Sequence, residues 1–187
     1  MKKILIVVDM QNDFITDALG SPDAEAIVPA AAKLIKTACN EYDGIIFTMD
    51  THYDNYMDTL EGKMLPVPHC LKDSEGWQIR ESLLAIVKAY NAEDKTYYFM
   101  KETFGSVNLP ALIMDTMEMS EAEEEIEFHC CGLCTDICVV SNMLLLRAHF
   151  PDDRIIIHAN ACAGTSPTAH EAALTTMKSC QIEIEGE

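Results

Sequence analysis

The sequence is poor in basic side chains. Its 187 residues include 13 lysines and arginines against 31 aspartates and glutamates, which gives a formal net charge of −18. Such a charge repels the phosphates of nucleic acids and the surfaces of anionic lipids. We therefore expect no nucleic-acid partner and no membrane partner for this chain.

Long apolar runs are also missing. No run approaches the roughly 20 residues that a membrane-spanning helix needs, and the apolar start 3-KILIVV-8 meets Asp9 at once. We therefore expect a first strand rather than a signal peptide, and a cytoplasmic protein. Because the chain has no internal repeat, low-complexity tract or linker, residues 1–187 are predicted to form a single domain.

Cysteine is present, but without a complete zinc motif. The eight cysteines are even in number, yet a domain of this size with an apolar core needs no disulfides, so reduced thiols are expected. Cys131 and Cys134 form a C-x-x-C, the spacing of redox pairs and of half a zinc site, and no second C-x-x-C follows. A non-enzymatic zinc or redox protein that uses these two cysteines is therefore one alternative.

Strand-length apolar runs alternate with segments of helical period. Most of the apolar runs are continuous, as strands covered on both faces are, and they lie at 3–8, 44–49, 96–101, 126–131, 154–159 and 181–185. The helical segments lie at 24–42, 77–90, 109–117, 136–150 and 168–179. This alternation predicts a three-layer α/β/α fold, Rossmann-like, with a mostly parallel six-stranded sheet. The long polar segment 51–76 is predicted to be a functional loop.

Chemically active side chains follow the predicted strands. In an open parallel sheet, ligands gather beyond the carboxyl ends of the strands. The residues at those ends are Asp9, Asp50, His52, Lys101 and the segment 132-GLCTDIC-138. Burial would raise the pKa of Asp9 and let it exchange a proton with a thiol, while Lys101 would stabilise a thiolate. This edge of the sheet thus offers an acid/base, a cation and a nucleophile.

Cys138 is the candidate nucleophile. It would lie in the first turn of the helix predicted at 136–150, with Thr135 and Asp136 as the N-terminal cap. The helix dipole and unpaired N–H groups at that position would lower the thiol pKa and stabilise an oxyanion. A lone cysteine is more often a small buried residue, so this position alone does not establish a nucleophile.

The loop 51–76 supplies the ligand types of a metal site. Asp50 and His52 lie on the same side of an extended segment, and His69 adds an imidazole from the far end of the loop. Three such ligands with an open position are typical of a metal site that also binds substrate, and Glu61 is a candidate fourth ligand. Alone, the D-x-H pattern is weak, because a solvated histidine capped by an aspartate explains it as well.

Several motifs in a fixed order span essentially the whole chain. They are 9-DMQNDF-14, 50-DTH-52, 66-PVPHC-70, Lys101, 132-GLCTDICV-139 and 161-ACAGTSPTAHEAAL-174. Together they resemble the nicotinamidase branch of the isochorismatase-like cysteine hydrolases. The resemblance implies an amidase that converts nicotinamide to nicotinate and ammonia through a thioester, a step of NAD salvage and pyridine nucleotide biosynthesis.

The resemblance also implies a role for each matching position. Cys138 matches the nucleophile, and Asp9 and Lys101 match the other members of its catalytic triad. The N–H groups of Cys134 and Cys138 would form the oxyanion hole, with a cis peptide bond just before Cys134. Phe14 matches an aromatic residue beside the substrate ring.

A divalent metal ion is a further implication of the resemblance. Asp50, His52 and His69 match the metal ligands of nicotinamidases, and Glu61 falls where some members have another ligand. Zinc is favoured, with iron or manganese as alternatives. The ion and pocket aromatics would hold a pyridine ring nitrogen. Since family members often self-associate, a homo-oligomer is expected.

Two departures from the family pattern leave the substrate open. Asn160 stands where many members have aspartate, and 102-ETFGSVNL-109 matches the usual K-x-x-x-S-x-F pattern only loosely. Neither departure touches the triad. A related amidohydrolase for a ureido, carbamoyl or other small amide is therefore the second interpretation, and such an enzyme would not need the metal ligands.

Overall fold

The strands form one parallel sheet. The computed structural model describes residues 1–117 and 125–186. Its strands are β1 (Lys2–Val8), β2 (Gly44–Asp50), β3 (Thr96–Lys101), β4 (Ile126–Leu133), β5 (Arg154–Ala163) and β6 (Glu183–Glu185). They lie in the order β3-β2-β1-β4-β5-β6, and every neighbouring pair is parallel. The predicted fold class is confirmed, and within these residues no antiparallel strand joins the sheet.

Burial follows the position of a strand in the sheet. Every residue of β2 and of β4 is buried, because these strands have neighbours on both sides and helices on both faces. The edge strand β3 instead exposes Tyr98 and Met100. Continuous apolar runs therefore mark the central strands, as expected for a sheet covered on both faces.

Eight α-helices are described in the two ranges. They are α1 (Asn12–Ile15), α2 (Pro22–Ala26), α3 (Val28–Glu41), α4 (Leu60–Met64), α5 (Glu81–Ala89), α6 (Leu109–Thr116), α7 (Val140–His149) and α8 (Pro167–Ser179). None of the described helices has the length and apolar character needed to cross a membrane.

The helix predicted at 24–42 is two helices. Ser21 caps the first, α2, because its hydroxyl accepts a hydrogen bond from the N–H of Ala24 at 3.0 Å. The chain breaks at Ile27, and Pro29 is the second residue of α3. Proline has no N–H to donate inside a helix and its ring clashes with the preceding turn, so Pro29 fits only where a new helix starts.

The polar segment 51–76 is more regular than the sequence predicts. It contains a 3-10 turn at Tyr56–Asp58 and the helix α4. The Thr59 hydroxyl caps α4 by accepting a hydrogen bond from the N–H of Gly62 at 3.0 Å. Helix α4 is too short for its apolar period to be recognised, which is why the sequence indicates only a loop.

The helix predicted at 136–150 begins differently from the prediction. A π-helical turn, Thr135–Val139, precedes α7, and Cys134 stands at the cap position without a side-chain hydrogen bond. The carboxylate of Asp136 instead accepts a hydrogen bond from the N–H of Thr165 at 2.8 Å. The predicted cap is therefore wrong, because Asp136 ties this turn to the segment after β5.

Candidate active site

Four adjacent strands bring the predicted triad together. Asp9 follows β1, Lys101 ends β3, and Cys138 lies in the π-helical turn after β4, while Asp50 ends β2 between them. Their relative exposures are 0% for Asp9, 2% for Asp50, 3% for Lys101 and 4% for Cys138. Parallel strands end on the same side of the sheet, so these side chains converge there.

Lys101 lies at the centre of this group. Its Nζ is 2.6 Å from Asp9 Oδ2 and 3.3 Å from Asp50 Oδ1, and it donates to Cys138 Sγ at 3.5 Å. Burial alone would lower the pKa of Lys101, but the carboxylate charges of Asp9 and Asp50 oppose burial and raise that pKa. The ammonium therefore stays charged at neutral pH.

Asp9 is held by Thr48 as well as by Lys101. The Thr48 hydroxyl donates to Asp9 Oδ1 at 2.6 Å, and the Asp9 backbone adopts a φ of 48°, a region that residues other than glycine rarely adopt. Burial raises the pKa of Asp9 and Asp50 raises it further, while Lys101 opposes both. The direction is the one predicted from the sequence.

The thiol of Cys138 differs from the prediction. Burial raises its pKa well above the ordinary value, and the carboxylate of Asp9 raises it further, against the opposing charge of Lys101. The expectation of a lowered pKa is wrong. The side chain is 4% exposed and lies beside a carboxylate, so burial destabilises its thiolate form more than a helix start stabilises it. The Cys138 thiol is therefore protonated at neutral pH.

Asn142 supports the turn that carries Cys138, and sequence reasoning missed it. Its Nδ2 donates to the carbonyl oxygens of Cys138 at 2.8 Å and of Phe104 at 3.1 Å. Its Oδ1 accepts from the N–H of Ser106 at 3.0 Å, and the side chain is fully buried. Asn142 thus joins the cysteine turn to the loop that follows Lys101.

The predicted metal ligands also meet. Asp50 Oδ2 is 3.0 Å from His52 Nε2 and 3.5 Å from His69 Nε2, and Glu61 Oε1 is 3.5 Å and 3.6 Å from the same two nitrogens. Ligands at about 2.1 Å from a tetrahedral ion lie roughly 3.4 Å apart. The separations and the mixed N/O donor set fit one divalent ion, and Glu61 is part of the cluster.

The cluster is polarised and oriented by its surroundings. Burial would raise the pKa of Asp50, but hydrogen bonds from His52 and His69 and the charge of Lys101 lower it. Burial would lower the pKa of His52, but Asp50 and Glu61 raise it to about 9. His69 Nδ1 lies 2.9 Å from the carbonyl oxygen of its neighbour Val67, which leaves Nε2 for the cluster.

Gln11 holds the backbone of Asp50, a role that sequence reasoning missed. Its Nε2 donates to the carbonyl oxygens of Asp50 and Trp77, both at 2.8 Å, and its Oε1 accepts from the N–H of Asp50 at 2.8 Å. The side chain is fully buried. Its place two residues after Asp9, beyond an apolar strand, is the one signal that could have indicated a buried amide.

Asp13 holds the far end of the same loop. Its Oδ2 accepts from the N–H of Cys70 at 2.7 Å, next to His69. A Cβ on Gly76 would lie 2.2 Å from that oxygen, so glycine is needed for this approach. Asp13 therefore fixes the segment that carries His69, a role that sequence reasoning also missed.

A cavity of about 730 Å³ adjoins these groups. Phe14, Cys134 and Cys138 line it, and the ring of Phe14 contacts the edge of His69 at a centroid distance of 5.4 Å. The Leu133–Cys134 peptide bond is cis. The residues predicted to bind the substrate ring and to stabilise an oxyanion thus face one cavity.

The C-x-x-C does not form a site of its own. Cys131 is fully buried in β4, and Cys134 is half-buried on the cavity. Burial raises the pKa of Cys134 to about 12 and that of Cys131 well above its ordinary value. In the described part of the chain, the candidate metal ligands cluster at Asp50 and His52 instead, with Glu61 and His69.

Similarity to known proteins extends over nearly the whole chain. A family profile described as the isochorismatase domain matches residues 3–185. An uncharacterized isochorismatase family protein PncA of Bacillus subtilis is 29% identical over 94% of this chain and 93% of its own length. A nicotinamidase of Schizosaccharomyces pombe is 25% identical over 96% and 91%. The crystal structure of nicotinamidase/pyrazinamidase PncA from B. subtilis has a TM-score of 0.82 at 28% identity, over 98% and 99%.

Proposed function

Because the chain belongs to the isochorismatase family and is an amidohydrolase, we propose that it is a metal-dependent nicotinamidase that forms a thioester on Cys138. The observation that carries the proposal is the buried Lys101 Nζ, 2.6 Å from Asp9 and 3.5 Å from Cys138 Sγ, beside a ligand cluster on the same cavity. The alternative of a non-enzymatic zinc or redox protein is wrong, because the family is one of hydrolases.

The first step is attack by Cys138 on the carboxamide carbon. Since the thiol is protonated at rest, Asp9 takes the thiol proton as the sulfur–carbon bond forms. Lys101 stays charged between Asp9 and Cys138 and stabilises the sulfur as it becomes anionic. Burial raises the pKa of Asp9. A carboxylate is a more effective general base when its pKa is closer to the working pH.

The tetrahedral intermediate carries its negative charge on the former carbonyl oxygen. The backbone N–H groups of Cys134 and Cys138 are proposed to donate to this oxygen, a kind of contact that typically contributes about 10²–10³-fold in rate. Asp9 then donates its proton to the departing nitrogen, and the carbon–nitrogen bond breaks. Ammonia leaves, and the acyl group stays on the sulfur of Cys138 as a thioester.

Hydrolysis of the thioester restores the enzyme. Asp9 takes a proton from a water molecule that attacks the thioester carbon, and the carbon–sulfur bond of Cys138 breaks. The sulfur recovers its proton from Asp9, and the carboxylic acid that has formed loses its own proton to solvent and leaves as nicotinate. Asp9 thus acts in turn as base, acid, base and acid, which requires that it lie close to both sulfur and substrate.

One divalent ion would be held by Asp50, His52, His69 and Glu61. Zinc suits this N/O donor set, and such ligands also accept iron and manganese. When bound, the ion would supply a Lewis-acid position for the ring nitrogen of the substrate. Asp50 connects this cluster to the triad, since its Oδ2 faces the imidazoles while its Oδ1 faces Lys101. Phe14 is proposed to pack on the substrate ring.

The charges around the cavity support an uncharged substrate. Asp50, Glu61 and Glu102 line it, and among its lining residues in the described chain none is lysine or arginine. Once Asp50 and Glu61 hold the ion, Glu102 is left as an uncompensated acidic group on the lining, and a carbamoyl substrate with a carboxylate would meet it without a lysine or arginine of the lining to pair with. A neutral aromatic amide fits better, and its anionic product would be repelled after hydrolysis.

Ammonia release from a panel of amides tests the proposal. With one equivalent of zinc, the purified protein should hydrolyse nicotinamide and pyrazinamide at least about 100-fold better, in kcat/KM, than an N-carbamoyl amino acid. A chelator should remove the activity, and added zinc should restore it. Hydrolysis of the carbamoyl amino acid with no activity on nicotinamide would refute the proposal.

We also propose a cytoplasmic homo-oligomer, in which residues 1–187 form a single domain. The free state of all eight cysteines suits a reducing compartment.

Sedimentation equilibrium of the purified protein checks the oligomer, and a single species with the mass of one chain would contradict it. Limited proteolysis that released a stable fragment would contradict the single domain.

A further inference from the structure

The cavity beside Cys138 is larger than a pyridine carboxamide needs. Its volume of about 730 Å³ lies well within the roughly 300–1,000 Å³ of pockets that enclose drug-sized ligands. A pyridine ring with a carboxamide group is much smaller than this volume, so a ring held beside Cys138 and Phe14 would leave space in the cavity. Part of the cavity lining is apolar and exposed to solvent.

Four apolar residues form this part of the lining, which we call the outer wall: Leu60, Met64, Leu65 and Phe104. Their relative exposures are 77%, 79%, 38% and 46%, against 4% for Cys138 and 2% for His69 at the inner end of the cavity. Exposed apolar side chains gathered around one opening indicate a binding site more often than chance exposure does.

The outer wall is fixed in place by its backbone. Leu60 and Met64 are four residues apart on α4, so they lie on the same side of that helix. The hydroxyl of Tyr56 donates to the carbonyl oxygen of Leu65 at 2.8 Å, and a Cβ on Gly62 would lie 2.1 Å from the carbonyl oxygen of Tyr56. Because α4 packs this closely, its backbone is already ordered without ligand, and binding does not have to supply the free energy of ordering it.

We propose that the outer wall is a subsite for an uncharged apolar substituent on the ring of an aromatic primary amide. The enzyme would then accept ring-alkylated or bicyclic aromatic carboxamides in addition to nicotinamide. This proposal rests on the proposed function, because the carboxamide group must lie at Cys138 for its ring to point toward α4. Glu102 also lines the cavity, so an anionic substituent is disfavoured.

Binding to a variant that cannot turn over tests the subsite directly. The dissociation constants of nicotinamides with methyl, ethyl or propyl at ring carbon 5 or 6 are measured by calorimetry on zinc-loaded Cys138→Ala protein. We expect the dissociation constant to fall about threefold per methylene at one of the two positions, near the transfer free energy of a methylene group. A carboxyethyl analogue should bind more weakly than the propyl compound, because its carboxylate would meet Glu102.

A substitution in the outer wall should remove this dependence on chain length. In the Cys138→Ala background, Met64→Asp should bring the propyl and methyl compounds to within about twofold of each other. Met57→Asp is the matched control, since Met57 is 47% exposed on the same segment and does not line the cavity. If Met64→Asp does not fold, Phe104→Ser replaces it.

A dissociation constant that stays constant or rises with chain length at both ring positions would overturn the subsite. Tighter binding of the carboxyethyl analogue than of the propyl compound, or an unchanged chain-length dependence in Met64→Asp, would overturn it as well. Failure of the proposed function is a different result: the wild-type protein would release no ammonia from nicotinamide, whatever the alkyl series does.

Discussion

At the scale of single residues, buried charge decides the chemistry of the site. Lys101 is the one cation in contact with Asp9 and Asp50 among the described residues, and all three are almost fully buried. The sequence predicted which residues converge here, because the ends of parallel strands meet. It could not predict the pKa of Cys138, because that depends on how completely the turn is buried.

Replacing Lys101 should damage both activity and stability. In Lys101→Met, the buried Asp9 loses its ion-pair partner and Asp50 loses one of its positively charged neighbours, which should lower the free energy of unfolding by about 3–5 kcal/mol. The rate of ammonia release should fall about 10³-fold, since the thiolate loses its stabilising cation. Urea denaturation and steady-state kinetics measure the two effects.

Lys88→Met is the control for Lys101, because Lys88 lies exposed on α5. It should leave both quantities within experimental error of the wild type. A Lys101→Met protein with wild-type kcat would rule out the proposed role of this cation.

Gln11 should act on metal affinity rather than on the thiol. In Gln11→Leu, the N–H and carbonyl oxygen of Asp50 lose their partners, so the ligand cluster is held less firmly. We expect zinc affinity, measured by chelator competition, to fall about 10–100-fold. Asn12→Ala, at a half-buried neighbour whose side chain donates to the carbonyl oxygen of Glu75 and not to Asp50, should keep wild-type affinity. Equal affinities of all three proteins would disprove the positioning role.

At the scale of elements, the segment between β2 and α5 shows where sequence patterns stop being informative. Its helix α4 has five residues and no recognisable period, and its position depends on the cap at Thr59 and on packing against Tyr56. Gln11 and Asp13 contact residues 39 and 57 positions away. Such contacts follow no local pattern, whereas the central strands were predicted because each is a continuous apolar run.

The close approach of β1 and β4 gives a prediction at this scale. Gly132 has a φ of +126°, and a Cβ there would lie 2.1 Å from the carbonyl oxygen of Val8, the residue before Asp9. Gly132→Ala should therefore separate the two strand ends, lower the free energy of unfolding by about 2–4 kcal/mol and reduce activity by displacing Asp9.

Gly44→Ala in β2 is the matched control for Gly132. Its added methyl group would meet mainly the flexible end of the Met117 side chain, with Sδ at 2.8 Å. We expect a smaller change in stability and normal activity. If Gly132→Ala were as stable and active as Gly44→Ala, the strand ends would not be fixed by this contact.

At the scale of the whole molecule, a second buried charge cluster lies away from the active site. His129 Nδ1 is 2.9 Å from His158 Nε2, and His129 Nε2 is 3.0 Å from Glu127 Oε1. Lys3 pairs with Glu127 at 2.8 Å, and Glu185 lies 3.8 Å from His158. Burial would raise the pKa of Glu127, but Lys3 and His129 lower it to about 2, so this carboxylate stays ionised.

This cluster should make the protein less stable in mild acid. Burial lowers the pKa of His129 and of His158, and their mutual contact lowers that of His158 further. The unfolded chain then binds protons more readily near pH 6.5 than the folded one does. Stability from the neutral imidazoles is therefore present above that pH and is lost as the pH falls below it.

Urea midpoints of the wild type and of His158→Gln at pH 7.5 and 5.5 measure this effect. The wild type should lose more stability between the two values than the variant, because the variant keeps an uncharged group at this position. Equal losses would show that the two imidazoles do not control the acid response.

Ammonia release from nicotinamide tests most directly whether Cys138 is the nucleophile. The assay compares zinc-loaded wild-type, Cys138→Ala and Cys180→Ala proteins in parallel. Cys180 is a half-buried cysteine at the end of α8 and does not line the cavity. Release from Cys180→Ala should match that from the wild type, and release from Cys138→Ala should fall by at least about 10⁴-fold. Full release from a folded, zinc-containing Cys138→Ala protein would contradict it.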